Sequence, residues 1–502
     1  MDTKITAYNT FITIEVDKFG VTPEGFNIRK SSGRYIEFEK DKHTDKWKPV
    51  KFYMNYDPVK KLRYLPRQAL EHVIMELKQQ GCNPLVLRGK LVEPRPISFN
   101  MKDNFETREY QEESIEFLKD KYLPMKLLSL STGLGKSNIG IKVVHDLQMV
   151  AMIIADAMVL DQWKQRFLSV TDLQEEDVFT LQGLPSLKKL FKLNKESGYK
   201  PKIIVASIDT VSAYIAGTTE GYNEFMSFSK FCEYFGIGIK IVDEAHLNMF
   251  AALMIDLNCK ILHNLYLTAT PRRSTWKDNN IYNNIYPESI RFDGNYYEKH
   301  VNVMQYKYEL VLNCNERKFQ GFKGYSQHKY DDYLLSNPFY FNEFIDNILG
   351  VMIKRHFISR RLPHEKCLIF VNKKNVGDKY AAVLSKKFPD LKVLTKFSDD
   401  ADDVYQDADI IVSTHGSSGT AKDIAGLITT INTTSYQSDV VAEQQLGRTR
   451  KIKDRDVYFI DLYNSTILTH VRHAKSRIDL FIKKALTLQW IDLTNATVKK
   501  II

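Results

Sequence analysis

The sequence predicts an α/β protein with two parallel-sheet lobes in tandem behind a small N-terminal α+β domain. Three observations predict it. From about residue 105, short apolar runs alternate with helical stretches, which is the order of a mostly parallel, covered sheet. That alternation occurs as two successive series. The first 100 residues follow a different pattern and carry 18 Lys and Arg against 12 Asp and Glu, a net charge of +6 out of +10 for the chain. A length of 502 residues suits such a division, at ~100–200 residues per domain.

In the N-terminal part, Ile12, Ile14 and Val16 alternate with Thr13 and Glu15, a strand pattern. Tyr35 to Phe38, Val50 to Tyr56 and Leu85 to Leu87 read as further strands. Pro66 is expected to open a helix that places Ala69, Leu70, Val73, Ile74 and Leu77 on one face and ends at Gly81. The first series of apolar runs is Lys126–Leu130, Ala151–Ala155, Ile203–Ala206, Ile237–Val242 and Leu265–Leu267. The second is Cys367–Val371, Val393–Leu394, Ile410–Ser413, Ile428–Asn432 and Val457–Leu462. Between them, Pro271 to about Asn337 is rich in Tyr and Asn and reads as an insertion, or as a linker plus the first elements of the second lobe.

Composition excludes several classes. Hydrophobic content of 43% and charged content of 26% are globular values. The longest apolar candidate, Met149 to Leu160, is broken by Asp156, so no membrane span is expected. No apolar stretch follows Asp2 and Lys4, so no signal peptide is expected. The 5 cysteines, at 82, 232, 259, 314 and 367, are scattered and form no Cys-x-x-Cys pair. Neither a disulfide framework nor a zinc site is expected, and a reducing, cytoplasmic setting fits. The net charge of +10 favours a polyanionic partner.

Two motifs carry chemistry. Residues 131–137 read STGLGKS between an apolar run and an amphipathic helical stretch. Thr132, Gly133 and Gly135 belong to a loop whose backbone N–H groups can face a pyrophosphate, helped by the positive end of the following helix. Lys136 can reach the β- and γ-phosphates, and Ser137 can bind Mg²⁺. Leu130 stands where the general pattern has Gly or another small residue. Residues 237–246 read IGIKIVDEAH, an apolar run ending in Asp243 and Glu244. Two acids at the end of a buried strand are costly unless something needs them. A nucleotide-bound Mg²⁺ supplies that need, with Asp243 toward the metal and Glu244 activating water.

In this order the motifs resemble the superfamily-two helicases and translocases, over about residues 105–485. Arg108, Tyr110 and Gln111 resemble the element that reads adenine. IIADAMVLDQW, residues 153–163, resembles the second motif, which implies a nucleic-acid contact near Trp163. ASIDT resembles the next backbone-contact motif, with Ser207 and Thr210 as hydroxyl donors. His246 and the TAT of residues 268–270, with Thr268 and Thr270, resemble the elements coupling ATP state to strand movement. In the second lobe, CLIFVNKKNVGDKYA resembles the opening motif. IIVSTHGSSGTAKDI resembles the fifth, with Thr414, Gly419 and Asp423. QQLGRTR resembles the sixth, with Gln444, Gly447 and Arg448 matching and Arg450 one residue early. Either arginine is a candidate to stabilise charge on the transferring phosphoryl group.

The resemblance implies RecA-like lobes at 101–275, binding ATP and Mg²⁺, and at 276–502, completing the ATP site and the DNA groove. Residues 1–100 then form an accessory nucleic-acid-binding domain, with Lys46, Trp47 and Lys48 as candidate contacts. Size, a compact second lobe and a small basic unit in front resemble the phage UvsW-like branch-migration helicases. That implies an ATP-dependent DNA helicase acting on forked or junction DNA in recombination, replication or repair. It further implies a monomer in the cytoplasm, that of a bacterial host if phage-encoded. An RNA helicase and a non-hydrolysing ATP-gated DNA clamp are the alternatives. A nuclease is not expected: Glu76-Leu77-Lys78 falls in a helical pattern and Glu316-Arg317-Lys318 in a polar stretch.

Overall fold

The computed structural model describes residues 3–40, 47–103, 105–131, 134–219, 225–269, 276–294, 299–321, 324–397, 404–415, 424–495 and 497–501. The chain divides into two compact units, Met1–Tyr296 and Tyr297–Ile502. Among the described residues, no helix is long and apolar enough to cross a membrane.

The first unit begins with β1 (Lys4–Ala7), β2 (Phe11–Glu15), β3 (Ile36–Lys40), β4 (Trp47–Phe52), β5 (Asn55–Asp57), β6 (Leu62–Pro66) and β7 (Leu85–Arg88). Five of these form a sheet in the order β5-β6-β2-β1-β7, while β3 and β4 pair as a separate antiparallel hairpin. Ile12 and Ile14 are buried on β2, as their alternation requires. The helix Ala69–Gln79 buries Ala69, Val73 and Leu77, one residue per turn. Pro66 does not open that helix: it closes β6, opposite Phe11, at a strand end where a missing N–H is tolerated. The run Val50 to Tyr56 is two strands, interrupted where Tyr53 turns into the core.

The rest of this unit is a parallel sheet. Its strands are β8 (Met125–Ser129), β9 (Ala151–Ala155), β10 (Val178–Leu181), β11 (Ile203–Ser207), β12 (Ile239–Val242), β13 (His263–Thr268) and β14 (Arg291–Asp293). Their order is β10-β11-β9-β12-β13-β8-β14. Every residue of β8, β9, β11, β12 and β13 is buried, because crossover helices cover the sheet. Two lysines inside it need partners. Lys126 donates to the Leu118 carbonyl at 2.9 Å, and Lys240 pairs with Asp256, which also accepts from the Tyr266 hydroxyl at 2.8 Å.

The second unit carries β15 (Val301–Tyr308), the short hairpin β16 (Gln320–Gly321) and β17 (Gly324–Tyr325), β18 (Lys366–Val371), β19 (Val393–Lys396), β20 (Ile410–Thr414), β21 (Leu427–Asn432), β22 (Val457–Asn464), β23 (Thr487–Asp492) and β24 (Thr497–Lys500). The sheet order is β19-β20-β18-β21-β22-β15-β23-β24, parallel except for the last pair. The Tyr- and Asn-rich segment between the two apolar series is therefore shared: β14 edges the first sheet and β15 lies inside the second.

A buried ion pair holds the middle of the second sheet. Asp461 of β22 receives Arg477 Nη2 on both carboxylate oxygens at 2.9 Å, Gln305 Nε2 at 3.0 Å and Asn432 Nδ2 at 2.9 Å. Arg477 Nη1 also donates to the Tyr436 carbonyl at 2.6 Å. Arg477 and Asp461 are both fully buried. Removing one partner strands the other charge without water, so Arg477→Leu is expected to cost ~3–5 kcal/mol. A lowered urea midpoint of the full chain, with no change for an exposed control such as Lys475→Leu, is the check.

Candidate nucleotide site

Parallel strands bring their C-terminal ends to one edge, and the motifs of the first unit lie there. The helix Lys136–Leu147 starts directly after Gly135, which has φ +81°. A Cβ at Gly135 would also sit 2.5 Å from Gln111 Nε2, so both backbone and space require glycine. Lys136 Nζ donates to the Leu130 carbonyl at 3.0 Å and lies 3.7 Å from Glu244 Oε1. Leu130 offers its carbonyl to this lysine, while its N–H donates to the Thr268 carbonyl at 3.0 Å. Its side chain is buried, and a Cβ on Gly294 would come within 2.2 Å of it. The large residue at this position is thus accommodated away from the loop. Ser137 is half-buried in the first helical turn.

Asp243 and Glu244 leave the end of β12. The Asp243 N–H donates to the Ile154 carbonyl of β9 at 2.9 Å and the Ala245 N–H to the Leu267 carbonyl of β13 at 3.0 Å, which clamps the acidic turn between both neighbours. Glu244 has φ +44°, a left-handed conformation that a non-glycine residue holds only when surrounding contacts enforce it. Its Oε2 accepts from Ala269 N–H at 3.2 Å and lies 3.3 Å from His246 Nδ1, which is 2.8 Å from Thr268 Oγ1. Asp243 accepts Glu244 N–H on Oδ1 and the Trp163 indole N–H on Oδ2, both at 2.9 Å. Burial, then the adjacent Glu244 charge, pushes the Asp243 carboxyl up to about 6, against the opposing pull of Lys136 and the indole. One ammonium, two carboxylates, a hydroxyl and a helix N-terminus converge here. That donor set suits a polyphosphate carrying a divalent cation.

Other expected residues take these places. Gln111 is buried. Its Nε2 donates to the Leu134 carbonyl at 2.9 Å and its Oε1 accepts from Arg108 N–H at 3.0 Å, so its amide ties the helix Glu109–Lys119 to the loop. Ser207 and Thr210 are also buried. Their hydroxyls lie 2.5 Å apart and Thr210 Oγ1 accepts from Gly183 N–H at 2.7 Å. Trp163, expected near nucleic acid, is only 2% exposed. Lys48 is exposed on β4. Thr132, Gly133, Thr270, Lys46, Gly419, Asp423 and the Trp47 side chain lie outside the described residues. The two nuclease-like glutamates are structural: Glu76 accepts from Ser31 N–H and Oγ, and Glu316 from Leu468 and Thr469 N–H.

In the second unit, Thr414 ends β20 and Gln444 is half-buried on the helix Asp439–Leu446. Arg448 is buried just beyond that helix, and Arg450 lines a groove with Gly426 and Lys451. Sequence reasoning passed over the residues that hold this region together. Gln445 donates to His415 Nδ1 and accepts from the Tyr436 hydroxyl, and His415 Nε2 lies 2.8 Å from Thr434 Oγ1. The ring of His415 stacks on Phe370 at 5.4 Å. A buried Asp461 within an apolar strand was the available signal, since such a charge demands a partner. Nothing in the spacing pointed to His415 with Gln445.

Residues 104–273 match the protein family described as Type III restriction enzyme, res subunit. No curated protein sequence matches the chain. Solved structures similar to it include the Pyrococcus furiosus Hef helicase domain. That structure has a TM-score of 0.42 and 16% identity, with 74% of this chain and 98% of that one covered. T4 UvsW has a TM-score of 0.36 and 15% identity, with 98% and 100% covered. Each of the two units carries one mostly parallel sheet lobe, with small additional elements beside it.

Burial pushes the His415 pKa down to about 4. His356 is likewise held at about 4. In the folded chain Nδ1 of His415 is an acceptor, and protonation would set N–H against the Gln445 amide N–H. Below pH ~6.5 the unfolded chain binds protons that the folded chain refuses, so stability present above that pH is lost as pH falls toward 4. Melting temperature is expected to drop across this window. The slope should be shallower by up to one proton in His415→Gln.

Proposed function

We propose that this protein is an ATP-dependent nucleic-acid motor, with branched or forked DNA as its polymer. One observation carries the ATPase part: Lys136, Asp243, Glu244, His246 and Thr268 are linked contact by contact along one edge of a parallel sheet. Open parallel sheets bind ligands at that edge. In this reading Lys136, the loop backbone and Ser137 hold the phosphates. Asp243 and Ser137 face Mg²⁺, which would supply charge neutralisation on the phosphate oxygens. Glu244 orients the attacking water and takes its proton. His246 and Thr268 sense whether Glu244 is engaged. Arg448 or Arg450 stabilises the transferring charge.

The preference for DNA rests on the motif resemblance and on the layout of a small basic unit ahead of two lobes. The +6 charge of the first 100 residues supports a polyanion there. Work on junctions or forks in recombination or repair follows from the same layout. A monomer in the cytoplasm completes the reading.

Steady-state ATPase rates with matched single-stranded DNA, duplex, four-way junction and RNA test it. Junction or fork DNA should stimulate wild type most. Lys136→Ala should lose at least ~100-fold. Glu244→Gln should still bind ATP but turn over at least ~100-fold more slowly. Stimulation by RNA alone would remove the DNA assignment. ATP binding without turnover on any polymer would make the protein a clamp.

A further inference from the structure

Trp163 has a position that its motif does not account for. It lies in the first turn of the helix Leu160–Val170, which follows β9, and β9 is the direct neighbour of β12. The strand register sets Ile154 beside Val242, so the start of this helix falls next to the acidic turn. The indole is 2% exposed. Its ring lies 6.3 Å from that of Phe167, and its Cη2 would be 3.3 Å from a Cβ on Gly140 of the helix Lys136–Leu147. The ring is therefore packed from two sides.

A buried indole N–H seeks a partner, and usually any nearby carbonyl serves. Here the partner is Asp243 Oδ2, at 2.9 Å. The other oxygen, Oδ1, takes the Glu244 N–H at 2.9 Å. Each carboxylate oxygen thus receives one N–H from a fixed donor, and the carboxylate plane is determined. Three residues further along the helix, Arg166 Nε donates to Asn138 Oδ1 at 2.6 Å. The same helix therefore grips both the acidic turn and the helix that starts at Lys136.

We infer that Trp163 is a positioning residue: its indole N–H orients the Asp243 carboxylate toward a divalent cation carried by the nucleotide. This rests on the nucleotide-site reading above. Partners one layer behind a metal-facing carboxylate set its orientation, and losing one typically costs ~10–100-fold in metal affinity. Trp163 does not itself touch nucleotide in this scheme. Removing its N–H should therefore spare metal-free binding and weaken the metal's share.

The test uses the full chain as wild type and Trp163→Phe, which keeps most of the ring and removes the N–H. Affinity for ADP is measured in EDTA, and Mn²⁺ affinity of the protein–ADP complex by electron paramagnetic resonance of free Mn²⁺. The expected result is ADP affinity in EDTA within about twofold of wild type, with Mn²⁺ affinity lower by about tenfold. Gly140→Ala keeps the indole and crowds its Cη2. It should lower Mn²⁺ affinity in the same direction, by a few-fold, and covers the case in which Trp163→Phe fails to fold. Unchanged Mn²⁺ affinity in both variants would overturn the inference. So would equal losses with and without metal, which mark a packing role alone. Wild type that binds no ADP in either condition would instead overturn the nucleotide reading itself.

Discussion

The first unit is organised around one electrostatic problem, two adjacent carboxylates at the end of a fully buried strand. Leaving water is expensive for each, and their mutual repulsion adds to it. The surrounding structure answers atom by atom. Trp163 and the Glu244 N–H hold Asp243, while Lys136, the Ala269 N–H and His246 surround Glu244. These groups come from β8, β9, β12 and β13 or the residues just past them, and those strands are contiguous in the sheet. Parallel pairing matters because it delivers all four C-terminal ends to the same edge. The left-handed Glu244 is part of the same solution, since its side chain reaches both the lysine and the β13 end.

The second unit solves a comparable problem differently. Asp461 sits within a strand, and its charge is matched by a bidentate arginine and two amides. Such a pair contributes little net stability, because desolvation offsets attraction. Its effect is geometric. Asn432 and the Tyr436 carbonyl are drawn to the pair, and the segment between them sets where Tyr436, Gln445 and His415 meet. A neutral His415 is required by that meeting, and burial keeps it neutral. The arginine-bearing stretch after Gln445 is thereby attached to the end of β20 through hydrogen bonds rather than packing alone.

Legibility from sequence followed the physics of each segment. Runs such as Ala151–Ala155 and Cys367–Val371 were plain because strands covered on both faces must be apolar throughout. β15 was not, since Asn302 and Gln305 interrupt its apolar pattern. Both are buried, and both are satisfied from neighbouring strands, Gln305 by Asp461 and Asn302 by Thr487. A polar residue whose partner lies more than 150 positions away looks like a loop residue in sequence. β10 and β14 were too short to show a period. Pro66 carried two meanings, helix start and strand end, and only its pairing with Phe11 chose between them.

By itself the sequence determined the glycine turn ahead of a lysine-led helix, the acidic pair and the two α/β series, because these depend on residue type and local order. Glycine before a lysine-led helix and acids after an apolar run are local facts. Only the tertiary structure decided which side chains meet. It sent the Leu130 side chain under Gly294, gave both ends of the Gln111 amide to its own loop and helix, and turned Trp163 inward onto Asp243. The reason is that a side chain's partners are set by strand order. The sheet placed β9 beside β12 and β15 beside β22, and no spacing along the chain records either choice.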